Sequence, residues 1–453
     1  MVEPGSGSPT WRFPSAFWIA NGVELLERAA YYGTFIALTL YLSRVVGLDD
    51  AQAGIVAAVF AALIYLLPFF TGAASDRMGF RAALMLAFAL LALGYGMLGA
   101  FQTLGPVLCA LLLVAIGGAF VKPIITGTVA KCSDSASRAR AFSLFYMTVN
   151  IGSFSGKTVV KWIRQDLGVE NVPYFSAALA FAALIAVAVF YRPKSDGSAA
   201  PKSVSETLRG MGTALANGRF TALILITAGF WAIQGQLYAS MPKYVLRLVG
   251  ESAAPEWYAN VNPLVVVLLV VPITNLIRRM SSEVSISIAL ALIPLSALSI
   301  ALSPHLSGAI ASLGIGIHPI TVMMIVGIAI QGLAECFLSP KYLEYASKQA
   351  PQGQEGLYLG YAHLNTFFAW LFGFVAGGLL LQKYVPDPER LTDAARAQWE
   401  RAMAGQDVLP PAYAQAHHLW YAFALIGVLS FAALMVYIGI TRRADRRRLA
   451  AHP

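Results

Sequence analysis

The stretch Glu24-Leu-Leu-Glu27-Arg28-Ala-Ala-Tyr31-Tyr32-Gly33 sets three charges inside a run that is otherwise apolar from residue 15 to residue 43. At 100° per residue, Glu24, Glu27, Arg28 and Tyr31 share one helical face. An ionisable side chain deep in a membrane segment costs at least about 2.5–3.5 kcal/mol on insertion scales, and it survives by pairing and by facing a wet cavity. Two acids and a base on one stripe of a long apolar helix therefore describe the wall of a water-filled chamber in a membrane protein.

Composition agrees with a membrane setting. Of 453 residues, 58% are hydrophobic and only 12% are charged, against roughly 25% charged in a soluble domain. That leaves too little polar surface to coat a globule in water. The formal charge of +9 could suit nucleic acid, but the bases gather in short loops and in Arg442, Arg443, Arg446, Arg447 and Arg448 after an apolar run. This is topology patterning, and no nucleic-acid partner is expected. Residues 1–14 are polar, with no small-residue cleavage site after the first apolar run, so the first helix is expected to be retained. Cys109, Cys132 and Cys336 are too few and too scattered for a disulfide framework or a zinc site, and read as packing residues.

A spanning helix needs about 20 mostly apolar residues. Twelve segments meet that ruler, near 15–43, 52–74, 82–101, 104–128, 141–162, 173–192, 219–243, 257–277, 284–303, 316–348, 356–383 and 415–441. The first and tenth exceed the hydrocarbon thickness and should tilt or project into water. With twelve spans, Arg77 and Arg81, Lys131, Arg138 and Arg140, Lys194, Lys202 and Arg209, Arg278 and Arg279, and the C-terminal arginines fall on one side. The excess of base makes that side the cytoplasm and puts both termini there. The polar break at 193–218, with Pro193, Gly197 and Pro201, divides the chain into residues 1–192, a cytoplasmic linker, and residues 219–453. The expected fold is all-α, with twelve transmembrane helices in two six-helix bundles flanking a cavity, as an alternating-access transporter requires. The loop Gly72-Ala-Ala-Ser75-Asp76-Arg77-Met-Gly79-Phe-Arg81 resembles the short cytoplasmic loop of the major facilitator superfamily.

Two further charges sit where apolar residues belong. At 1.5 Å per residue, Glu24 lies roughly 14 Å above its helix start and Lys122 roughly 9 Å from its own cytoplasmic end. These depths let Lys122 pair with Glu24 or Glu27. Glu335 is a lone acid in the apolar tenth segment. Cations in one half and an acid in the other suit a zwitterion.

These residues resemble the proton-coupled oligopeptide transporters of the major facilitator superfamily. Glu24 to Gly33 is similar to that family's ExxER…YYG signature, and Lys122-Pro123 to the Lys-Pro of its fourth helix. Phe145-Tyr146-Met147-Thr148-Val149-Asn150-Ile151-Gly152-Ser153-Phe154 is similar to its fifth-helix signature, and Trp257 with Asn262-Pro263-Leu264 to the start of its eighth. Glu335-Cys-Phe-Leu-Ser339-Pro340, ending in Ala350-Pro351, resembles its tenth helix, and Trp370-Leu-Phe a cavity position of its eleventh. The resemblance implies uptake of di- and tripeptides driven by a proton gradient, with no cofactor, no metal and no enzymatic activity. It implies a monomeric, multi-pass protein of the cell membrane, whose partners are a small peptide, protons and lipid. Glu24, Glu27, Arg28 and Lys122 are then the proton-coupling residues. Arg28 and Lys122 receive the peptide carboxylate, while Asn150, Asn262 and Glu335 receive the amino end. Tyr31, Tyr32, Phe35, Tyr65, Gln236, Ser339 and Trp370 complete the substrate-binding set. The chemistry agrees, because a carboxylate favours a guanidinium or ammonium and an ammonium favours a carboxylate.

The departures bear on substrate. Phe35 stands where family members usually carry an Arg. The seventh segment has Gln234, Gln236, Tyr238 and Ser240 but not the usual acid, so the usual extracellular gate is replaced. Lys157 follows Asn150 on the same helical face, as an added cavity cation or one that snorkels to the outer end. Lys341 reads as a loop-side charge. The two extra helices many bacterial members carry between their halves are absent from 193–218.

Other functions fit less well. A nucleotide-driven pump needs a phosphate-cradling G-x-x-x-x-G-K-[ST] loop, which does not occur. His363 reads as packed rather than catalytic, and His417 and His418 as interfacial. A second reading keeps the scaffold but moves another small amide-bearing or charged solute or drug, or exports it. A third is a non-transporting receptor or sensor.

Overall fold

The computed structural model describes residues 12–134, 137–193, 204–312, 314, 316–350 and 355–451. Lys194, Gly197, Pro201, Lys202 and Pro351 lie outside the described residues. The described residues form helices and no strands. In chain order these are α1 (Ser15–Arg44), α2 (Asp50–Leu66), α3 (Pro68–Met78), α4 (Phe80–Ala100), α5 (Leu104–Lys131), α6 (Arg138–Trp162), α7 (Val172–Phe190) and α8 (Val204–Ala216). There follow α9 (Gly218–Gln234), α10 (Gln236–Ala239), α11 (Met241–Leu248), α12 (Pro255–Tyr258), α13 (Val261–Ile277), α14 (Ser282–Ala301) and α15 (Ser307–Ser312). The last are α16 (Pro319–Lys348), α17 (Glu355–Ala362), α18 (Leu364–Tyr384), α19 (Asp393–Met403) and α20 (His418–Ala451).

Ten spans among the described residues are long and apolar enough to cross a membrane. The more polar α1 and α6 have the length to do so, at 30 and 25 residues. Each expected segment contains helix, but several are broken where local chemistry requires it. Pro68 lacks an N–H and opens α3 after Leu67, splitting the second segment in two. Gly79, at φ 81°, takes the left-handed conformation that ends α3, and its N–H reaches Ser75 O at 2.9 Å. Three helices are additions to the expected pattern: α8 lies inside the supposed linker, α15 between the ninth and tenth expected segments, and α19 in the polar stretch after α18. Cys336 is buried, but Cys109 is exposed on the outward face of α5, so it does not pack as expected.

The packing resolves into two compact units, Met1–Phe35 with Leu66–Val204 and Ile36–Tyr65 with Ser205–Pro453. In the first, α4 packs on α5 and α7, and α3 on α5. There α1 meets α6 at backbone distance: a Cβ on Gly152 would lie 2.6 Å from Leu25 O, and one on Gly156 would strike Ala29. Thr34 Oγ1 and Ser176 Oγ, 2.8 Å apart, tie α1 to α7 in the same unit. The stretch Gly72 to Arg81, expected as a loop, is helical except at Gly79, and Arg81 in the first turn of α4 donates to Ala188 O at 2.6 Å. In the second unit α14 packs on α16 and α20, and α9 on α18 and α20. There α2 and α18 also approach through glycine, with a Cβ on Gly54 falling 2.7 Å from Phe374 O and one on Gly378 striking Asp50 O.

Candidate functional site

Both acids of the α1 stripe turn onto one base. Arg28 Nε lies 3.3 Å from Glu24 Oε1 and also donates to Glu27 Oε2. Glu24 and Glu27 are buried, whereas the Arg28 side chain keeps 15% of its surface. One oxygen of the triad, Glu24 Oε2, is buried without a hydrogen-bond partner among the described residues. Such an oxygen can bind a proton without surrendering an existing bond. The guanidinium sits 5.2 Å from the Tyr31 ring centroid and 5.8 Å from that of Tyr32, within cation–π range. Tyr31 in turn stacks on Phe35 at 5.2 Å, so the residue in place of the usual Arg extends an aromatic wall.

Lys122 projects from α5 as an exposed side chain, and its field acts on Glu24, Glu27 and Arg28. The sequence allows it as a direct partner of an acid, but both acids pair with Arg28, one turn or less away on the same helix. Asn150 on α6 is partly exposed and donates to Tyr146 O at 2.8 Å. Lys157, two turns further along α6, is 1% exposed, with its ammonium 5.8 Å from the Tyr32 centroid.

The second unit holds a buried acid of its own. Glu335 on α16 accepts from Gln234 Nε2 at 2.6 Å and from Asn262 Nδ2 at 3.3 Å, both on one carboxylate oxygen. Both donors are neutral side-chain amides. Gln234 thus acquires a role that its sequence context, a polar residue near the end of an apolar run, did not reveal. Trp370 on α18 meets Tyr65 edge-on at 5.0 Å, with Tyr238 at 6.3 Å and Phe374 at 5.8 Å. Gly235 keeps that indole close, since a Cβ there would lie 3.3 Å from it. Ser339 is half-buried one turn after Glu335. The Gln236 amide is taken up inside the fold: it donates to Ala232 O at 2.9 Å and Gly373 O at 3.0 Å, and accepts from Ser240 at 2.8 Å.

A third cluster in the second unit was not anticipated. Asp50, at the start of α2, accepts from Lys243 Nζ at 2.7 Å and from both terminal nitrogens of Arg247 at 2.7 and 3.0 Å. Lys243 also donates to Ser43 Oγ at 2.6 Å, while Arg247 reaches Asp387 at 2.7 Å and Val385 O at 2.6 Å. Lys243, Arg247 and Asp50 are 1%, 4% and 4% exposed, so this is a dry, multiply bonded ion network. Arg44 and Glu251 pair at the surface of the same unit. Lys341 bonds Glu344 at 2.8 Å. His363 is exposed at the break between α17 and α18, not buried as the sequence suggested.

A family model described as Major Facilitator Superfamily matches residues 22–317, well over half of the chain. Dipeptide and tripeptide permease A of Proteus mirabilis (strain HI4320) is 30% identical over 159 residues, 34% of this chain and 33% of that protein. The permease of the same name from Escherichia coli (strain K12) is 29% identical over 159 residues, 34% of this chain and 32% of that protein. The match therefore spans about a third of the length of these curated relatives. Among solved structures, a peptide transporter POT in complex with sulfate superposes with a TM-score of 0.75 at 19% identity, covering 98% of this chain and 96% of that one. A POT family transporter in complex with 5-aminolevulinic acid gives a TM-score of 0.71 at 18% identity, with 95% and 96% covered. At these identities the structural likeness is one of fold.

Proposed function

Because the chain belongs to the Major Facilitator Superfamily, we propose that it takes up di- and tripeptides together with protons by alternating access. The observation that carries this reading is the pairing of charge types. A cation site, Arg28 with exposed Lys122, is built on one unit, and an acid held only by amides, Glu335 with Gln234 and Asn262, on the other. The two termini of a zwitterion call for one group of each kind. Arg28 and Lys122 receive the terminal carboxylate, and Glu335, with Asn262 and Asn150, the terminal ammonium. Tyr31, Tyr32, Phe35, Tyr65 and Trp370 offer aromatic surface to side chains, with Ser339 beside the acid.

Coupling follows from the competition for Arg28. While Glu24 and Glu27 are ionised, the guanidinium is engaged by them. Protonating an acid removes its charge and frees the guanidinium for the peptide carboxylate, so proton and peptide load together. Loss of the proton to the cytoplasm restores the internal pairs and expels the peptide carboxylate. The proton gradient is the driving force and no cofactor enters. In this reading the protein works as a monomer in the cell membrane, with both termini cytoplasmic and residues 193–218 linking halves 1–192 and 219–453. The peptide reading is supported by the dipeptide and tripeptide permeases that resemble part of the chain.

Uptake of labelled dipeptide into proteoliposomes under an acid-outside gradient tests it. Gradient-dependent accumulation is expected, and its absence across several dipeptides sinks the reading. The replacement of the usual Arg by Phe35 favours one alternative, the same scaffold carrying another small charged solute, which the same vesicles would reveal by moving that solute instead.

A further inference from the structure

The last turns of α20 carry charges sorted by the rotation of the helix. Its exposed apolar residues Leu425, Leu429, Val436 and Ile440 recur at steps of four and seven and mark the face that meets lipid. At 100° per residue, Arg443 and Arg447 continue that stripe, and Arg446 flanks it as Val428 and Met435 do higher up. All three arginines are exposed, and no acid among the described residues pairs with them. The opposite face is pinned to the body of the second unit. Leu434 and Thr441 are buried there, Arg442 reaches Glu283 in the first turn of α14 at 2.7 Å, and Asp445 accepts from Arg219 in the first turn of α9 at 2.5 Å. These two ion pairs fix which way the helix is turned. Length fixes depth. From Leu419 to Ile440 the helix carries no charge, which gives about 33 Å at 1.5 Å per residue, enough to cross about 30 Å of hydrocarbon. Arg443 and Arg447 then stand about 3 and 9 Å beyond Thr441 along the axis, where long side chains reach the headgroup layer. Topology calls for base on this side of the membrane, but not for base on the lipid-facing stripe with the acid turned inward.

We propose that Arg443, Arg446 and Arg447 bind the phosphate headgroup of an anionic phospholipid in the leaflet around the end of α20. Guanidinium forks match phosphate oxygens two at a time, and these three lie at i, i+3 and i+4, on one side of the helix. Glu283, which Arg442 occupies, follows the exposed turn carrying Arg278 and Arg279, so two more bases stand at the same end of the unit. Each basic side chain near an anionic lipid surface is worth about fivefold in affinity at moderate salt. The site is independent of which solute the protein carries.

The test titrates the purified full chain in detergent with phosphatidylglycerol or phosphatidylcholine and counts bound lipid by native mass spectrometry. Wild type is expected to bind phosphatidylglycerol at least about fivefold more tightly, with a preference that shrinks as salt rises. Arg443→Gln with Arg447→Gln should weaken phosphatidylglycerol by at least about fivefold and leave phosphatidylcholine unchanged, while Arg443→Lys with Arg447→Lys should keep most of the preference. The unfolding temperature without lipid should not move, since neither side chain pairs with the body of the protein. Should the double variant fail to fold, either single Gln variant carries the same comparison. Equal affinity for the two lipids in wild type, which needs no variant, overturns the proposal. An unchanged preference in the Gln variant also overturns it, leaving these arginines as determinants of topology alone. Displacement of phosphatidylglycerol by an equal concentration of glycerol phosphate would mark a site for free anions and refute the lipid assignment.

Discussion

Replacing Asp50 by Asn leaves two buried cations sharing one fewer anion. In the wild-type network Asp50 accepts three hydrogen bonds, one from Lys243 and two from Arg247. After the change, Arg247 retains Asp387 and the Val385 carbonyl, so its charge is still compensated. Lys243, 1% exposed, retains only the Ser43 hydroxyl of the partners described for it. Breaking a buried pair by removing one member costs about 3–5 kcal/mol, mostly for the orphaned charge. Because one of the two cations keeps a carboxylate, the low end, about 3 kcal/mol, is expected here. A double-mutant cycle in detergent separates that orphan cost from other losses. Asp50→Asn should lower the unfolding temperature markedly, Lys243→Met should lower it less, and the double variant should be more stable than Asp50→Asn alone. The sign of that last comparison is decisive, since removing the stranded ammonium removes the penalty. If the two single losses simply add, Lys243 is not paying a desolvation cost relieved by Asp50, and the network reasoning is wrong.

Three other outcomes follow from the same geometry. Glu27→Gln keeps shape but cannot cycle a charge; it should abolish proton-driven accumulation while sparing peptide exchange at equal pH, measured in the same vesicles, and Glu24→Gln should act in the same direction. Glu335→Ala should weaken peptides with a free amino end by about tenfold or more, the worth of a charge-assisted bond, and N-blocked peptides far less; equal losses in a competition panel would count against an ammonium at this site. Gly156→Val should cost more than the 1–3 kcal/mol usual for overpacking, because the new Cβ strikes the Ala29 backbone. Size-exclusion chromatography of the purified variant, showing aggregation or loss of the monodisperse peak, checks it.

The parts of the site that were legible in sequence are those that break a compositional rule. Glu24, Glu27, Arg28 and Glu335 stand out because an apolar segment has no reason to carry them. Their partners are harder. Gln234 lies 101 residues from Glu335, and a glutamine near a helix end carries no mark of which acid it serves. Asp50 was less visible still: beside Asp49 at the start of a helix it reads as an ordinary N-terminal acid. Bases at the end of an apolar segment, such as Lys243 and Arg247, are ordinary, and these two meet Asp50 only across 193 and 197 residues of chain. α8 was missed for a different reason. Val204–Ala216 is polar enough to pass for linker, and only its helical periodicity, set against a Pro- and Gly-rich neighbourhood, distinguishes it. The helix breaks at Pro68 and Gly79 follow from residue chemistry, but whether a proline kinks a span or divides it depends on the neighbours it packs against.

The glycine contact between α2 and α18 bears on how tightly these two helices hold together. Where Gly54 faces Phe374 O and Gly378 faces Asp50 O, two main chains touch with no long side chain between them. Attraction between such surfaces is dispersion, and an added gap of about 0.5–1 Å forfeits a quarter to a half of it. The seam is therefore either shut or lost over a very short travel, with few rotamers to reset on return. A side chain larger than glycine at either position would hold the two helices apart and forfeit that contact.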